Sequence, residues 1–298
     1  MRRMSNINLR DKQRRNAEKA RKKKGGPHEV HYFHEMDDGY SLLAVQVLEQ
    51  FHSKYDIKLV CHIARRESSD NVPEPNLLSK LSLSDGKLIA PHFNLLFPDT
   101  ETAPEPELVE QSHKIAIDMA KTHRFSDLAG LTTAVISNNH EQIKILDQQS
   151  PDTSPEEIER QLSKSNKLRH ELGHYSGAMF YYAGEWYWGI DRLYHLETRL
   201  IELGAASDGS DKLLCPRPDI VMGPARASGD LKLRFFPSLR SPYTSIIYDK
   251  TAELARETGV QLEITPVLPM VMRGVPATTN KGRYIMSDTA REAQTLNI

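Results

Sequence analysis

An internal repeat constrains the fold of this chain more than any other feature. Three segments match later ones at a shift of 203 residues and without a gap, namely 30–33 with 233–236, 39–41 with 242–244, and 56–59 with 259–262. Self-similarity at one fixed offset is typical of a duplicated structural unit. The later part of the chain is therefore predicted to begin as a copy of the earlier part.

An aromatic stretch over residues 174–193 is predicted to close the first copy. It contains both tryptophans and seven of the 21 aromatic residues. Residues 178–182 and 185–188 favour strands, and Ala183-Gly184 between them indicates a turn. A helix that ends at Leu203 is predicted to follow. The aromatic side chains of such a hairpin are equally well explained by packing in a core.

The elements before this hairpin predict an α/β fold. Strands over 30–33 and 57–63 flank an apolar pattern with helical spacing over 42–55, as in a parallel β-α-β unit. Residues 65–102 are interrupted by prolines and predict loops. Three amphipathic helices are predicted next, over 106–123, 126–140 and 154–172. This order predicts thioredoxin topology with an all-helical domain inserted between its halves, followed by a partial second copy.

The predicted domain boundaries follow from the repeat and from changes in composition. Residues 1–27 are predicted to be a basic disordered arm, 28–204 the first domain, 205–229 a linker, and 230–298 the N-terminal part of a second domain. Only 69 residues remain from Asp230 onward, too few for a second closing hairpin and helix. The second copy is therefore expected to leave an unpaired strand edge, and either the chain is a fragment or the second domain is degenerate.

Charge is distributed unevenly along the chain. Residues 1–24 contain eleven Lys and Arg against two acidic residues, whereas the whole chain has a net charge of −1. We expect this arm to make at most weak, non-specific contact with nucleic acid or another acidic partner. No apolar run reaches the roughly 18 residues of a membrane helix, so no membrane contact is expected. The sequence pattern gives no indication of the oligomeric state.

Two patterns bear on redox and metal chemistry. Cys61 and Cys215 are far apart and form no C-x-x-C motif, which favours a reducing compartment, predicted to be the cytoplasm. His170 and His174 match H-E-x-x-H, which on a helix places two imidazoles for zinc. Gly173 between them indicates instead that the helix ends there. No metal is therefore expected, and a zinc metallohydrolase is the weakest alternative.

Ser241 stands where the second copy passes from its first strand into a helix. The backbone N–H groups at such a helix N-terminus stabilise an anion, including a thiolate, to which a serine hydroxyl can donate a hydrogen bond. Ser241 also suits the N-cap position, with Pro242 at the first helical position. The two roles are compatible.

The segment Ser241-Pro242-Tyr243 after a strand, together with residues 188–193 (Trp-Gly-Ile-Asp-Arg-Leu), resembles the DsbA-like thioredoxin superfamily. Within it, the chain is most similar to the branch of 2-hydroxychromene-2-carboxylate isomerase and the kappa-class glutathione transferases. The resemblance covers residues 28–204 and 230–298 as tandem copies, and includes Pro269-Met270 and residues 281–291.

This resemblance implies a glutathione-dependent isomerase or transferase, and family membership alone also allows a thiol-dependent oxidoreductase. Ser241 is implied to be the catalytic residue that orients the thiol of glutathione, the possible cofactor. The residues implied to bind glutathione are Asn280, Lys281, Asp191 and Arg192. The implied partner is a small-molecule thiol or substrate.

Two residues depart from the family pattern in the first copy. Asp38 stands where the family has the thiol-supporting serine, and a carboxylate there would repel a thiolate. Ala178 stands near the position of the family's cis-proline. These departures favour an alternative function, in which the chain is a non-catalytic thioredoxin-fold interaction module.

Overall fold

The computed structural model describes residues 6–67, 69–100, 102–219, 223–224 and 226–298. The described residues form two compact units. The large unit comprises residues 12–67 and 74–218, and the small unit comprises residues 6–11, 69–73 and the described residues from 219 to 298.

A four-stranded mixed sheet forms the centre of the large unit. Its strands are β1 (His28–His34), β2 (Ile57–Ile63), β3 (Met179–Tyr182) and β4 (Glu185–Trp188), in the order β2-β1-β3-β4. Strand β1 is parallel to β2 and antiparallel to β3, which is antiparallel to β4. The predicted α/β class is confirmed, and the hairpin forms where the aromatic pattern placed it.

Nine α-helices are described from residue 6 to the end of the helix that follows the hairpin. They are α1 (Ile7–Lys24), α2 (Gly39–Val45), α3 (Leu48–Lys54), α4 (Pro75–Ile89), α5 (Pro106–Lys121), α6 (Phe125–Ile136), α7 (His140–Gln148), α8 (Pro155–Glu171) and α9 (Leu193–Glu202). The predicted helix over 42–55 is thus two helices, and the one over 126–140 ends at Ile136. In the described residues, no helix is both long and apolar enough to cross a membrane.

Helix α4 was not expected, because the prolines of residues 65–102 were interpreted as loop signals. Pro75 occupies the first helical position of α4, where the missing N–H has no partner inside the helix anyway. Pro91 likewise opens a short 3-10 turn, Ala90–Phe93. The proline pattern therefore marked the start of a helix rather than its absence.

The hairpin contributes its aromatic side chains to the core of the large unit. Phe180 is fully buried, and its ring lies 4.7 Å from that of Tyr32 on β1 and 5.9 Å from that of Phe51 on α3, between centroids. Tilted and edge-to-face aromatic pairs at these distances add to the gain from burial itself. Core packing therefore accounts for the aromatic residues on the inner face of the hairpin.

The predicted disordered arm, residues 1–27, is corrected over Ile7–Lys24, which form α1. Arg14 places two guanidinium nitrogens 2.6 and 2.7 Å from the two carboxylate oxygens of Glu185 on β4. Arg21 pairs with Glu18 one turn earlier on the same helix. Ion pairs rather than apolar burial thus hold this basic segment, since none of its residues is buried. Residues 1–5 lie outside the described residues.

The predicted linker, residues 205–229, is corrected over its first part. The buried carboxylate of Glu197 accepts a hydrogen bond from the Tyr55 hydroxyl at 2.7 Å and from the backbone N–H groups of Leu214 and Cys215 at 2.7 and 2.9 Å. Leu214 and Cys215 are therefore anchored within the large unit, and Cys215 is buried. Residues 220–222 and 225 of the predicted linker lie outside the described residues.

The small unit contains β5 (Lys232–Phe235), α10 (Pro242–Thr258), β6 (Gln261–Ile264) and α11 (Thr279–Thr295), with a 3-10 turn at Met270–Arg273. Strands β5 and β6 are parallel, and Leu233 pairs with Leu262. In the large unit, Val30 pairs with Leu59, so the strand register repeats at the same shift of 203 residues.

Candidate functional site

The N-terminus of α10 is the place to which the sequence assigned thiol chemistry. Ser241 is the N-cap residue, with extended backbone angles, and Pro242 occupies the first helical position. The Ser241 side chain is half-buried and makes no capping hydrogen bond to the helix. The first turn of the 17-residue helix α10 therefore lies beside a serine hydroxyl that makes no capping hydrogen bond. Both favour a bound anion or thiolate at this point.

The corresponding position of the large unit is closed by its own side chains. Asp38 is the N-cap of α2, and its Oδ2 accepts hydrogen bonds from both the backbone N–H and the hydroxyl of Ser41, each at 2.8 Å. Asp38 is itself buried. The carboxylate therefore already supplies the negative charge that a helix N-terminus favours, and it leaves no place for a thiolate.

The Ser41 hydroxyl extends this network to β3. Its oxygen accepts hydrogen bonds from the backbone N–H of Ala178 at 2.9 Å and from that of Glu35 at 3.2 Å. Ala178, at the position where the resemblance implies a proline, has a φ of 53° in the left-handed region. The end of β1, the start of α2 and the start of β3 are thereby tied together through a single buried serine.

A close approach of α4 explains why the first copy has glycine where the second has proline. Gly39 donates its backbone N–H to the Ser82 hydroxyl at 3.2 Å, and a Cβ added at Gly39 would lie 2.2 Å from the Ser82 carbonyl oxygen. Gly39 corresponds to Pro242 at the shift of 203 residues. A proline at position 39 would collide with α4, so the Ser-Pro-Tyr pattern is incompatible with this packing.

Asn280 and Lys281 stand in the first turn of α11, which packs against α10 in the small unit. The Lys281 ammonium donates a hydrogen bond to the backbone carbonyl of Asn71 at 3.2 Å, and burial lowers its pKa. Lys281 is thus held at the helix start by Asn71, on the same small unit as Ser241.

Asp191 and Arg192 belong to the large unit and pair with each other. The Arg192 guanidinium donates to the Asp191 carboxylate at 2.7 Å. Both residues lie in a 3-10 turn, Ile190–Arg192, and α9 begins only at Leu193. The implied glutathione-binding residues are therefore divided between the two units. Asn280 and Lys281 belong to the small unit, as Ser241 does, whereas Asp191 and Arg192 belong to the large unit.

The H-E-x-x-H segment does not lie on one helix. Helix α8 ends at Glu171, and Gly173 has a φ of 96°, so His174 follows the helix end. His170 is exposed, whereas His174 is buried with its ring stacked on Tyr175. The described residues contain no group of three or more potential ligand side chains that could hold a metal ion.

A buried ion pair near the end of β1 was missed by the sequence analysis. The Arg169 guanidinium on α8 donates to the Glu35 carboxylate at 2.5 Å, and both side chains are buried. Burial raises the pKa of Glu35 to about 7, although the positive charge of Arg169 opposes this rise. Removing either partner would leave a buried charge without its counterion, which is costly.

A cavity of about 600 Å³ lies at the carboxyl end of the parallel strands of the large unit. Its lining includes Asp37, Arg65, Arg66, Asn76, Glu110 and His113. Arg65 contacts Glu110 at 2.7 Å, and burial lowers the pKa of His113. The sequence signal for this cavity was the pair Arg65-Arg66, which follows β2, because ligands of α/β proteins often bind at the carboxyl ends of the strands.

The charged side chains that line the cavity are largely paired with one another. Arg66 contacts the Asp37 carboxylate at 3.3 Å and donates to the Asp37 carbonyl at 2.9 Å. Between these charges, the lining also includes apolar residues such as Val109 and Pro106. A comparison with protein-family models, with curated proteins and with solved structures found no match to this chain.

Proposed function

We propose that the chain is a tandem thioredoxin-fold protein of the DsbA-like type, with a glutathione-type thiol site on the second copy. The strand order β2-β1-β3-β4, built from a β-α-β unit, a block of helices and a β-β-α unit, supports this fold for the first copy. The repeated register of β1–β2 in β5–β6 supports the second copy. The two free cysteines, Cys61 and Cys215, are compatible with the cytoplasmic location proposed for it.

One observation carries the assignment of the thiol site to Ser241. Its side chain makes no capping hydrogen bond at the start of α10, whereas its counterpart Asp38 is fully engaged with Ser41. A thiol bound there would be stabilised as thiolate by the N–H groups of the first turn and by the Ser241 hydroxyl. A more nucleophilic thiolate is what isomerisation or transfer with glutathione requires.

Calorimetric titration of the full chain with glutathione tests this function. We expect heat from the wild type, and at least about tenfold weaker binding for Ser241→Ala, because a hydrogen bond to a charged group is lost. Ser245→Ala is the matched control. Its hydroxyl bonds to the Pro242 carbonyl on the exposed side of the same helix, so binding is expected to be unchanged. A wild type that gives no heat would disprove the glutathione site.

A second candidate function concerns the large unit alone, for which we propose a non-catalytic interaction or scaffold role. The closed network of Asp38, Ser41 and Ala178 favours it, because the helix N-terminus there is filled. Thiol-dependent isomerase activity that persists unchanged in the Ser241→Ala full chain would argue against this role, since only the first copy could then supply it.

A further inference from the structure

We propose that helix α1 binds the phosphate backbone of double-stranded nucleic acid through a row of exposed basic side chains. This row, the basic stripe, consists of Lys12, Arg15, Lys19, Lys22 and Lys23. Its contacts are to phosphates, so the binding is expected to be independent of base sequence. The interaction goes beyond the thiol function proposed at Ser241 and does not depend on it.

The basic stripe follows from the helical periodicity of α1. Each of its members has another member three or four residues away, so at 3.6 residues per turn all five fall within an arc of about 100°. All five are exposed. A disordered arm would present its charges in every direction, whereas the helix fixes them in one row about 16 Å long.

The opposite side of α1 faces the large unit and holds the helix in place. Arg14 pairs with Glu185 of β4. Ala17 and Arg21 line a cavity of about 240 Å³ together with hairpin residues 181–183. Because these contacts use the inner side of the helix, the basic stripe is directed to solvent.

The positive charge of the basic stripe is not balanced within the helix. Asp11 pairs with Arg10 at 2.9 Å. Glu18, the other acidic residue of α1, pairs with Arg21 at 2.7 Å and lies 3.5 Å from Lys22. In the part of the chain that the structure describes, the other four members of the stripe form no ion pair. Like charges three and four residues apart weaken a helix, and a polyanion along the stripe relieves this repulsion.

The charge of the whole chain is segregated in the same way. Residues 1–24 contain eleven Lys and Arg against two acidic residues, whereas the net charge of the whole chain is −1. Such an asymmetry is typical of chains that bind nucleic acid or membranes through their basic part. The surface of α1 decides between these two partners.

A nucleic-acid duplex fits the basic stripe better than a membrane or an acidic polypeptide. Each strand carries one phosphate per about 3.4 Å of its axis, so the stripe spans several phosphates, and neutralising them releases condensed counterions. Exposed pairs with single carboxylates contribute little. Insertion at a membrane surface needs large apolar side chains beside the basic ones, and residues 12–24 contain none. They contain no aromatic residue either, which favours contact with a backbone over stacking on the bases of a single strand.

The test measures binding of the full chain to a fluorescent DNA duplex of about 20 base pairs by anisotropy, with an RNA duplex of the same length in parallel. We expect saturable binding of at least one duplex. From about 50 mM to about 200 mM salt, its affinity should fall by about 500-fold, as for five phosphate contacts. Binding of one duplex alone supports the proposal and identifies the nucleic acid.

The variant Lys12→Gln/Arg15→Gln/Lys19→Gln removes three charges of the basic stripe and retains residues that favour a helix. The slope of log affinity against log salt should become shallower by about 2.7, and the affinity at low salt should fall by about tenfold or more. Hydrogen exchange of the α1 amides should be as slow as in the wild type, because the inner side of the helix is unchanged.

The matched control is Lys121→Gln/Lys144→Gln/Lys164→Gln, which changes the net charge equally at exposed residues of α5, α7 and α8. Its affinity and salt slope should equal those of the wild type. Absence of binding to both duplexes, or an equal loss in the two triple variants, would overturn the proposal. Tighter binding to anionic lipid vesicles or to polyglutamate, lost in the stripe variant, would overturn it in favour of a membrane or an acidic polypeptide.

Discussion

The Tyr243 hydroxyl donates a hydrogen bond to Oδ2 of Asp288 at 2.8 Å, and the Tyr40 hydroxyl donates to Oδ2 of Asp85 at the same distance. Both members of the pair are shifted by 203 residues. The pair joins α10 to α11 in the small unit and α2 to α4 in the large unit. The duplication therefore extends through a fourth element, and α11 is the counterpart of α4.

The two tyrosines are expected to differ in their contributions to stability. Asp288 is 1% exposed, whereas Asp85 is only partly buried. A buried carboxylate that loses a donor cannot replace it with water as readily as a partly exposed one can, so Tyr243→Phe should destabilise its unit by about 2 kcal/mol and Tyr40→Phe by about 1 kcal/mol. Hydrogen exchange of α10 and α2 amides measures each unit separately. A larger effect of Tyr40→Phe would contradict this ranking.

The sequence predicted the features of the fold that rest on local periodicity. Alternation and helical spacing located β1, β2, the hairpin and α8, because those patterns reflect neighbours in sequence. Helix α4 was missed since Pro75 was interpreted as a break, although proline is favoured at a first helical position. In the sequence, the repeat was recognised only as far as residue 59. Beyond that residue, the two copies preserve the contact between Tyr and Asp rather than a run of similar residues.

The candidate site was less predictable, for a different physical reason. Ser241 was found from its place between a strand and a helix. The Glu35–Arg169 pair joins residues 134 positions apart, and no local pattern encodes a contact over that distance. Likewise, Asp38 could be recognised as a departure from serine, but its closure by Ser41 and α4 depends on tertiary packing.

Substitution of Gly39 by alanine is expected to disrupt the packing of α4 on α2. The added Cβ would lie 2.2 Å from the Ser82 carbonyl oxygen, a backbone atom that can move only with its helix. Overpacking against backbone costs about 3 kcal/mol. Gly130→Ala is the matched control, because a Cβ at Gly130 in α6 meets nothing within 4 Å, and alanine there should stabilise the helix by about 1 kcal/mol. Urea denaturation of both variants compares them, and similar midpoints would refute the close contact.

Glu35 should make the large unit lose stability as the pH rises. Burial raises its folded-state pKa from 4.5 to about 7, so between these values the folded chain retains a proton that the unfolded chain has lost. The stability it contributes is fully present below pH 4.5 and is lost as pH rises through 7, by about 3 kcal/mol in all.

Glu35→Gln isolates this contribution because glutamine does not titrate. The difference in unfolding free energy between the wild type and the variant should fall by about 3 kcal/mol from pH 4.5 to pH 7. Urea denaturation across this range measures it, and all other titrating groups cancel in the difference. A difference that is constant with pH would show that Glu35 is ionised in the folded chain throughout.

Three histidines with lowered pKa values should act in the opposite direction in acid. Burial lowers the folded-state pKa values of His34, His62 and His174 to about 3, from 6.5. As the pH falls below 6.5, the unfolded chain takes up protons that the folded chain excludes, so the stability present above 6.5 is lost toward pH 3. Each histidine contributes a slope of about 1.4 kcal/mol per pH unit.

His174→Phe tests one of these three slopes. The His174 ring lies 4.7 Å from Tyr175 and 5.0 Å from Trp186, between centroids, so a phenyl ring can retain both aromatic contacts. Between pH 6 and pH 4, the stability of the variant should fall less steeply than that of the wild type, by about 1.4 kcal/mol per pH unit. Parallel pH profiles of the two proteins would show that His174 is protonated in the folded chain, against the desolvation that its complete burial imposes.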